Sequence, residues 1–144
     1  MAIKYVVACD GSSASGRALK VAVEQAKLNG AALLLVHVLE WSPYSFLTPE
    51  EIEERHKRRS EELKRAQSAL VDPLIESLSS EGIEVSASIR YGHVSETLAE
   101  IAEKEAVAQI FIGRTGQSTL NKLIFGSVAA SLAQISPVPC TIVP

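Results

Sequence analysis

Residues 3–39 read IKYVVACDGSSASGRALKVAVEQAKLNGAALLLVHVL. Two short apolar runs, IKYVVAC (3–9) and AALLLVHVL (31–39), lie at its ends. Neither alternates cleanly between apolar and polar, so each suits a strand buried on both faces of a parallel sheet. The residues between them change period. Ala18, Leu19, Ala22, Ala26 and Leu28 fall near one side of a helix over 14–28, and Gly30 stands where a helix ends. A strand, a helix and a second strand of this kind form the crossover unit of an α/β fold.

The same alternation continues. IEVSASI (83–89), VAQIFI (107–112) and VPCTIV (138–143) read as three more strands. Thr48-Pro49-Glu50-Glu51 is a capping box that opens a long helix to about Ser79, with Pro73 expected to bend it. Shorter helices are expected over Ser95–Lys104 and Ser127–Gln134. The order βαβαβαβαβ predicts a three-layer α/β sandwich around a five-stranded parallel sheet, in one domain over 1–144. The charged run EERHKRRSEELKR (53–65) reads as the solvated face of the long helix, with a partner-binding face as the alternative. WSPYSFLT (41–48) is the longest irregular connection. It reads either as a loop held down by Trp41 and Phe46 or as a mobile lid or contact surface.

Composition excludes several classes. The chain has 144 residues, 47% of them hydrophobic, and a net charge of −3. No basic excess is available to neutralise a nucleic-acid backbone. No apolar stretch approaches the roughly 20 residues that span a bilayer, and the first residues lack a signal-peptide layout. Cys9 and Cys140 both lie in strand-like segments without CxxC spacing. They read as reduced, buried thiols, which predicts a cytoplasmic protein.

In open α/β sheets, ligands sit at the carboxyl ends of the strands where the strand order reverses. If the strand order is 3-2-1-4-5, which the sequence alone does not fix, Asp10 at the end of the first strand faces Gly113 at the end of the fourth across one crevice. Two glycine patterns compete for a phosphate there. GSSASGRA (11–18) has the spacing of Gly11 and Gly16 found in a Walker loop, but Arg17 replaces the lysine and Ala18 the hydroxyl residue. It reads better as a helix start capped by Ser12 or Ser13. GRTGQSTLNKLIFGS (113–127) is the stronger candidate. Gly113 ends a strand where a side chain would block a ligand, Gly116 turns the backbone, and Gly126-Ser127 opens a helix whose free N–H groups suit an anion. The alternative is a strand exit, a turn and an ordinary cap.

The pattern G-x2-G-x9-G-[ST], carried here by Gly113, Gly116, Gly126 and Ser127, resembles the nucleotide-binding signature of the universal stress protein family. VVACDGS (6–12), LLLVHVLE (33–40), RYGHVSETLAEIAEKE (90–105) and GSVAASLAQISPVPCTIV (126–143) resemble that family in the same order. The resemblance implies a Rossmann-like fold of the adenine nucleotide alpha hydrolase kind. It also implies ATP, or AMP or ADP, as ligand, with Mg2+ bridging the phosphates. By resemblance Asp10 contacts the ribose or base, and the backbone near Ala8, Cys9 and Val38 frames the adenine. Ile112 and Gly113 line the pocket, and Gly116, Gly126, Ser127 and Val128 hold phosphate. Arg114-Thr115 departs from the small residue and histidine that many nucleotide-binding relatives carry, so these two contacts are open. Lys122 reads equally as a phosphate contact or a surface lysine. The resemblance further implies a homodimer paired through the last strand, limited by Pro139 and Pro144, and a protein partner such as a transporter or kinase.

Nothing in the sequence assembles the metal ligands, base and charge stabiliser of a phosphoryl-transfer enzyme. His37 reads as a satisfied core residue, His56 as solvent-facing, and His93 as a loop residue near the crevice. Three functions stay open: a nucleotide-dependent regulatory protein with at most weak ATPase activity, a protein-interaction module that leaves the crevice empty, and a weak nucleotide-cleaving enzyme.

Overall fold

A computed structural model of the chain describes residues 2–40, 48–116 and 126–144. The elements follow the order expected of the sequence: β1 (Lys4–Ala8), α1 (Ser13–Asn29), β2 (Ala32–Glu40), α2 (Pro49–Ala66), a π-helical turn (Gln67–Val71), α3 (Asp72–Leu78), β3 (Val85–Gly92), α4 (Val94–Lys104), β4 (Gln109–Gly113), α5 (Ser127–Ile135) and β5 (Cys140–Val143). The five strands are parallel and lie in the order β3-β2-β1-β4-β5. The direction of winding therefore reverses between β1 and β4, and a ligand crevice is expected there.

Strand alternation divides the core in two. Tyr5, Val7, Leu33, Leu35 and Phe111 face α1 and α3, where Ala22, Val23, Ala26 and Leu78 close the layer. Tyr5 and Phe111 meet edge to face, 5.3 Å between centroids. Val6, Leu34, Val36 and Ile110 face the other side and pack against Leu98, Ile101 and Ala102 of α4 and Leu132 of α5. α1, α3, α4 and α5 meet the sheet through residues spaced three or four apart, and the strands meet them through residues spaced two apart.

Local signals account for most of the boundaries. The Ser12 hydroxyl accepts the Ser15 N–H and caps α1, and Gly30 ends that helix in the left-handed conformation with φ 64°. Thr48 and Glu51 form the reciprocal capping box at the start of α2. Leu28 is the exception on α1. It is 78% exposed, because two residues beyond Ala26 is more than half a helical turn away from the buried stripe.

Two other expectations are corrected. The single long helix after Thr48 is interrupted by the π-helical turn at Gln67–Val71 before α3 begins, so the break precedes Pro73. Proline has no N–H to donate and its ring crowds the carbonyl four residues back, here Ala69. The widened turn, in which the Asp72 N–H reaches the Gln67 carbonyl, absorbs that conflict. The third strand begins two residues later than expected and continues through Arg90-Tyr91-Gly92. β2 runs on to Glu40 and supplies partners for each of them: Val38 for Arg90, Leu39 for Tyr91 and Glu40 for Gly92.

The charged run lies on α2, where no residue is buried. One i,i+4 pair, Arg58 with Glu54 at 3.7 Å, spans its exposed face. Tyr91 joins α2 to the sheet: its single hydroxyl proton lies within reach of two acceptors, the Arg59 carbonyl at 3.0 Å and Glu62 Oε2 at 3.0 Å, and the Arg59 guanidinium lies 5.1 Å from the ring centroid. His56 is exposed, as its place in this run suggested. The expected packing of Trp41 and Phe46 lies outside the described residues.

Candidate functional site

The crevice forms where β1 and β4 end side by side. β1 ends at Ala8, and Asp10 follows in the turn that leads to α1. The Asp10 carboxylate is oriented locally: its Oδ1 accepts the Ser12 N–H at 2.9 Å and also the Ser12 hydroxyl. This Asx-type turn fixes the side chain before any ligand arrives. Its Oδ2 faces the other strand exit, so that a Cβ placed on Gly116 would lie 3.3 Å from it. The topology thus brings Asp10 and Gly116 together from opposite sides of the switch point.

The ends of the 113–127 segment are tied to each other. The Gly126 N–H donates to the Arg114 carbonyl at 2.9 Å, and a Cβ on Gly126 would press on that carbonyl at 3.0 Å. Gly126 is the N-cap of α5 and brings no side chain to cap it. The first intrahelical bond of α5 is the Ala130 N–H to the Gly126 carbonyl at 3.0 Å. The opening N–H groups of Ser127, Val128 and Ala129 precede that bond and have no intrahelical acceptor. They carry the positive end of the helix dipole. Exposed Ser127 adds a hydroxyl at the same end. Residues 117–125, including Lys122, lie outside the described residues.

Gly113 has a different reason from the one its sequence position suggested. A Cβ there would lie 2.8 Å from the carbonyl carbon and 2.8 Å from the Cβ of Ala14. Close packing of α1 on the end of β4 requires this glycine, whatever occupies the crevice.

The Walker-like GSSASGRA forms no loop. Gly16 lies inside α1, and Arg17 Nε donates to the Pro144 carbonyl at 2.8 Å. The neighbouring Val143 carbonyl accepts the Arg114 N–H at 2.7 Å. The end of β5 is therefore bonded both to α1 and to the strand exit that begins the glycine segment.

The apolar members of the predicted site assemble on one face. Ala8, Val38, Ile112 and Val128 all belong to the core layer between the sheet and α4 with α5. The side chain of Cys9 turns to the opposite layer, so only its backbone is on the crevice side. Burial, and then the charge of Asp10, push the Cys9 thiol up to about 12. Cys140 is likewise a free thiol, though it is only partly buried. His37 is half-buried, and its Nδ1–H donates to the Cys9 carbonyl at 2.6 Å, which holds the end of β1 against β2. Exposed His93 is the N-cap of α4 and makes no side-chain cap bond.

Val94 was missed by the sequence reading, which began the helix at Ser95. It is the first residue of α4 and packs against the same layer as Ala8, Val38 and Val128. The signal for it was its spacing of four from Leu98 and eight from Ala102, both buried on that face. The turn before it needs glycine: Gly92 has φ 154°, and a Cβ there would fall 2.6 Å from the Thr97 hydroxyl. The Ser95 hydroxyl donates to the Ser131 hydroxyl at 3.0 Å and joins the starts of α4 and α5.

A parallel sheet wound in both directions, with an oriented carboxylate and an uncapped helix start at its switch point, is the frame of an open α/β protein with its ligand crevice at the carboxyl ends of the strands. The chain matches the Universal stress protein family over residues 1–144, and it belongs to that family. It is 28% identical over 153 residues to universal stress protein YxiE of Bacillus subtilis, with 97% of each chain covered. Its fold is similar to that of universal stress protein UspA from Lactobacillus plantarum, with a TM-score of 0.84 at 21% identity over 99% of this chain and 97% of that one. The universal stress protein from Archaeoglobus fulgidus in complex with dAMP shares the fold with a TM-score of 0.61 at 23% identity, over 100% and 98% of the two chains.

Proposed function

We propose that this universal stress protein is a regulatory protein that binds an adenine nucleotide, ATP above all, in the crevice between β1 and β4. The observation that carries the reading is the meeting of Asp10 with Gly116 beside the uncapped start of α5. The N–H groups of Ser127 and Val128, with the Ser127 hydroxyl, would take the phosphates. Gly116 leaves room for the chain to pass between Asp10 and the ligand. Asp10 would accept a ribose hydroxyl, and Ala8, Val38 and Ile112 would meet the base. A neighbour of the same fold holds dAMP, which has the same base.

Magnesium would enter with the nucleotide. Among the described residues no group of three or more His, Cys, Asp or Glu comes together. Asp10 Oδ1 is already bonded to Ser12. Phosphate oxygens and water would supply most of the ligands, as this ion favours.

In this reading occupancy is the signal. Bound phosphate would join Gly116 to the start of α5 and alter association with a protein partner, one such as a transporter or kinase. The protein would act as a cytoplasmic homodimer paired through the free edge of β5. Among the described residues no helix is long and apolar enough to cross a membrane.

The test is direct. Purified protein is denatured and its released small molecules identified by mass spectrometry, and emptied protein is then titrated with ATP by calorimetry. Saturable ATP binding is the expected result. No released nucleotide together with no heat of binding up to millimolar ATP would overturn the reading.

A further inference from the structure

In the layer between the sheet and α4 with α5, burial changes in one direction along four elements. On β1, Val6 is fully buried and Ala8, two residues on, is partly exposed. On β2, Leu34 and Val36 are buried and Val38 is partly exposed. On α4, Leu98 is fully buried and Val94, one turn earlier, is partly exposed. On α5, Leu132 is fully buried and Val128, one turn earlier, is partly exposed. Steps of two on a strand and four on a helix keep a single face. The strands are parallel, so their carboxyl ends and the N-terminal turns of α4 and α5 lie at the same edge of the sheet. Four half-exposed apolar side chains from four different elements therefore surround a buried apolar floor at that edge.

This partly exposed apolar edge adjoins the proposed phosphate end. Val128 belongs to both: its N–H is among the uncapped groups of α5, and its side chain lies on the apolar edge. The Ser95–Ser131 hydrogen bond holds the start of α4 at a fixed distance from the start of α5. Resting on the nucleotide reading above, we infer that Val94 is the fourth wall of the base-binding slot and limits the size of the base that enters. The occupant is the flat apolar face of a purine, whose phosphates reach the start of α5. A bulky side chain at position 94 closes the slot and leaves the phosphate end untouched, because that end is built from the other helix.

The experiment separates base from phosphate. Wild-type protein and Val94→Trp are titrated with ATP and, separately, with inorganic tripolyphosphate. The expected result is an ATP affinity at least about tenfold weaker in Val94→Trp, with the tripolyphosphate affinity unchanged. A second measurement needs no mutation. The methyl resonances of Val94 are followed in wild-type protein, where a purine ring against the side chain shifts them through its ring current. They should move with ATP and stay in place with tripolyphosphate. ATP binding to wild type with unmoved Val94 methyls, or equal ATP affinity in folded Val94→Trp, would overturn the role of Val94 and leave the nucleotide reading standing. Failure of wild type to bind ATP at all would overturn both.

Discussion

Three residues at the crevice carry different constraints although the sequence writes two of them alike. Gly113 and Gly126 both belong to the glycine signature, yet the neighbours of a Cβ differ. At Gly113 it meets the backbone of Ala14 at 2.8 Å, inside the packing of α1 on β4. Gly113→Ala should therefore lower stability by about 1–3 kcal/mol, as overpacking does, which urea denaturation would read. At Gly126 it meets the Arg114 carbonyl at 3.0 Å and Thr115 Cα at 3.6 Å, in the segment that would hold phosphate. Gly126→Val should remove ATP binding in calorimetry while the urea midpoint stays close to wild type. Retained affinity in that variant would exclude this segment as the cradle. Cys9 carries a constraint of another kind. Its thiol is raised from 9.0 to about 12, first by burial and then by Asp10. A raised pKa in the fold means that the neutral thiol is favoured there, so its contribution is complete below pH 9 and is lost as pH rises from 9 toward 12. Stability of the wild type should fall more steeply through that window than stability of Cys9→Ala, measured as melting temperature against pH. Native Cys9 should also resist alkylation at pH 8, since the thiolate is the reacting species.

Among the elements, α2 is held least firmly. None of its residues is buried, and the Tyr91 hydroxyl provides its described hydrogen bonds to the sheet, through Arg59 and Glu62. Burial, then the Glu62 hydrogen bond and charge, push the Tyr91 phenol up to about 12 against the opposing pull of Arg59, so it remains a donor across the physiological range. Tyr91→Phe should speed amide exchange in α2 by about tenfold, the loss of roughly one hydrogen bond's net worth. Global melting should hardly change, because the core layers do not include that hydroxyl. Equal exchange rates in the two proteins would show that other contacts hold α2. The sequence disclosed this helix well, because its cap and charge run are local signals. It disclosed the interruption before Pro73 only as a bend, since the compensation for a missing N–H lies in residues ahead of the proline. It placed the end of β3 too early for a similar reason. The expected strand stops at Ile89, whereas pairing with β2, a partner some fifty residues away, carries it through Gly92. Val94 was overlooked with it, because its spacing from Leu98 counts only once the helix is known to begin there.

For the whole molecule, five alternating strands made a parallel sheet legible, but the order of its strands was an assumption; the observed order β3-β2-β1-β4-β5 brings Asp10 to Gly116. The proposed pairing between two copies of the chain rests on the end of the sheet, not on periodicity. β5 bonds to β4 on one side, with the carbonyls of Pro139 and Val143 accepting from Ile110 and Arg114. Alternate residues of a parallel strand turn both backbone groups to the same neighbour. Cys140 and Ile142 thus turn theirs to the free edge, where a second β5 would pair. Ile142→Pro removes an outward N–H, and Ile142→Ala loses the same packing but keeps it. Sedimentation should give a dimer for wild type and Ile142→Ala, and a monomer for Ile142→Pro. A monomeric wild type, or a dimeric proline variant, would exclude pairing through β5. The same edge reaches the crevice: Val143 holds the Arg114 N–H at 2.7 Å, and Arg114 in turn holds the Gly126 N–H at 2.9 Å. A ligand held between Gly116 and the start of α5 should therefore strengthen dimerisation, and dimerisation should strengthen ATP binding by the same factor. Sedimentation of wild type with and without saturating ATP would measure that factor, and calorimetry of Ile142→Pro against Ile142→Ala should return it from the other side.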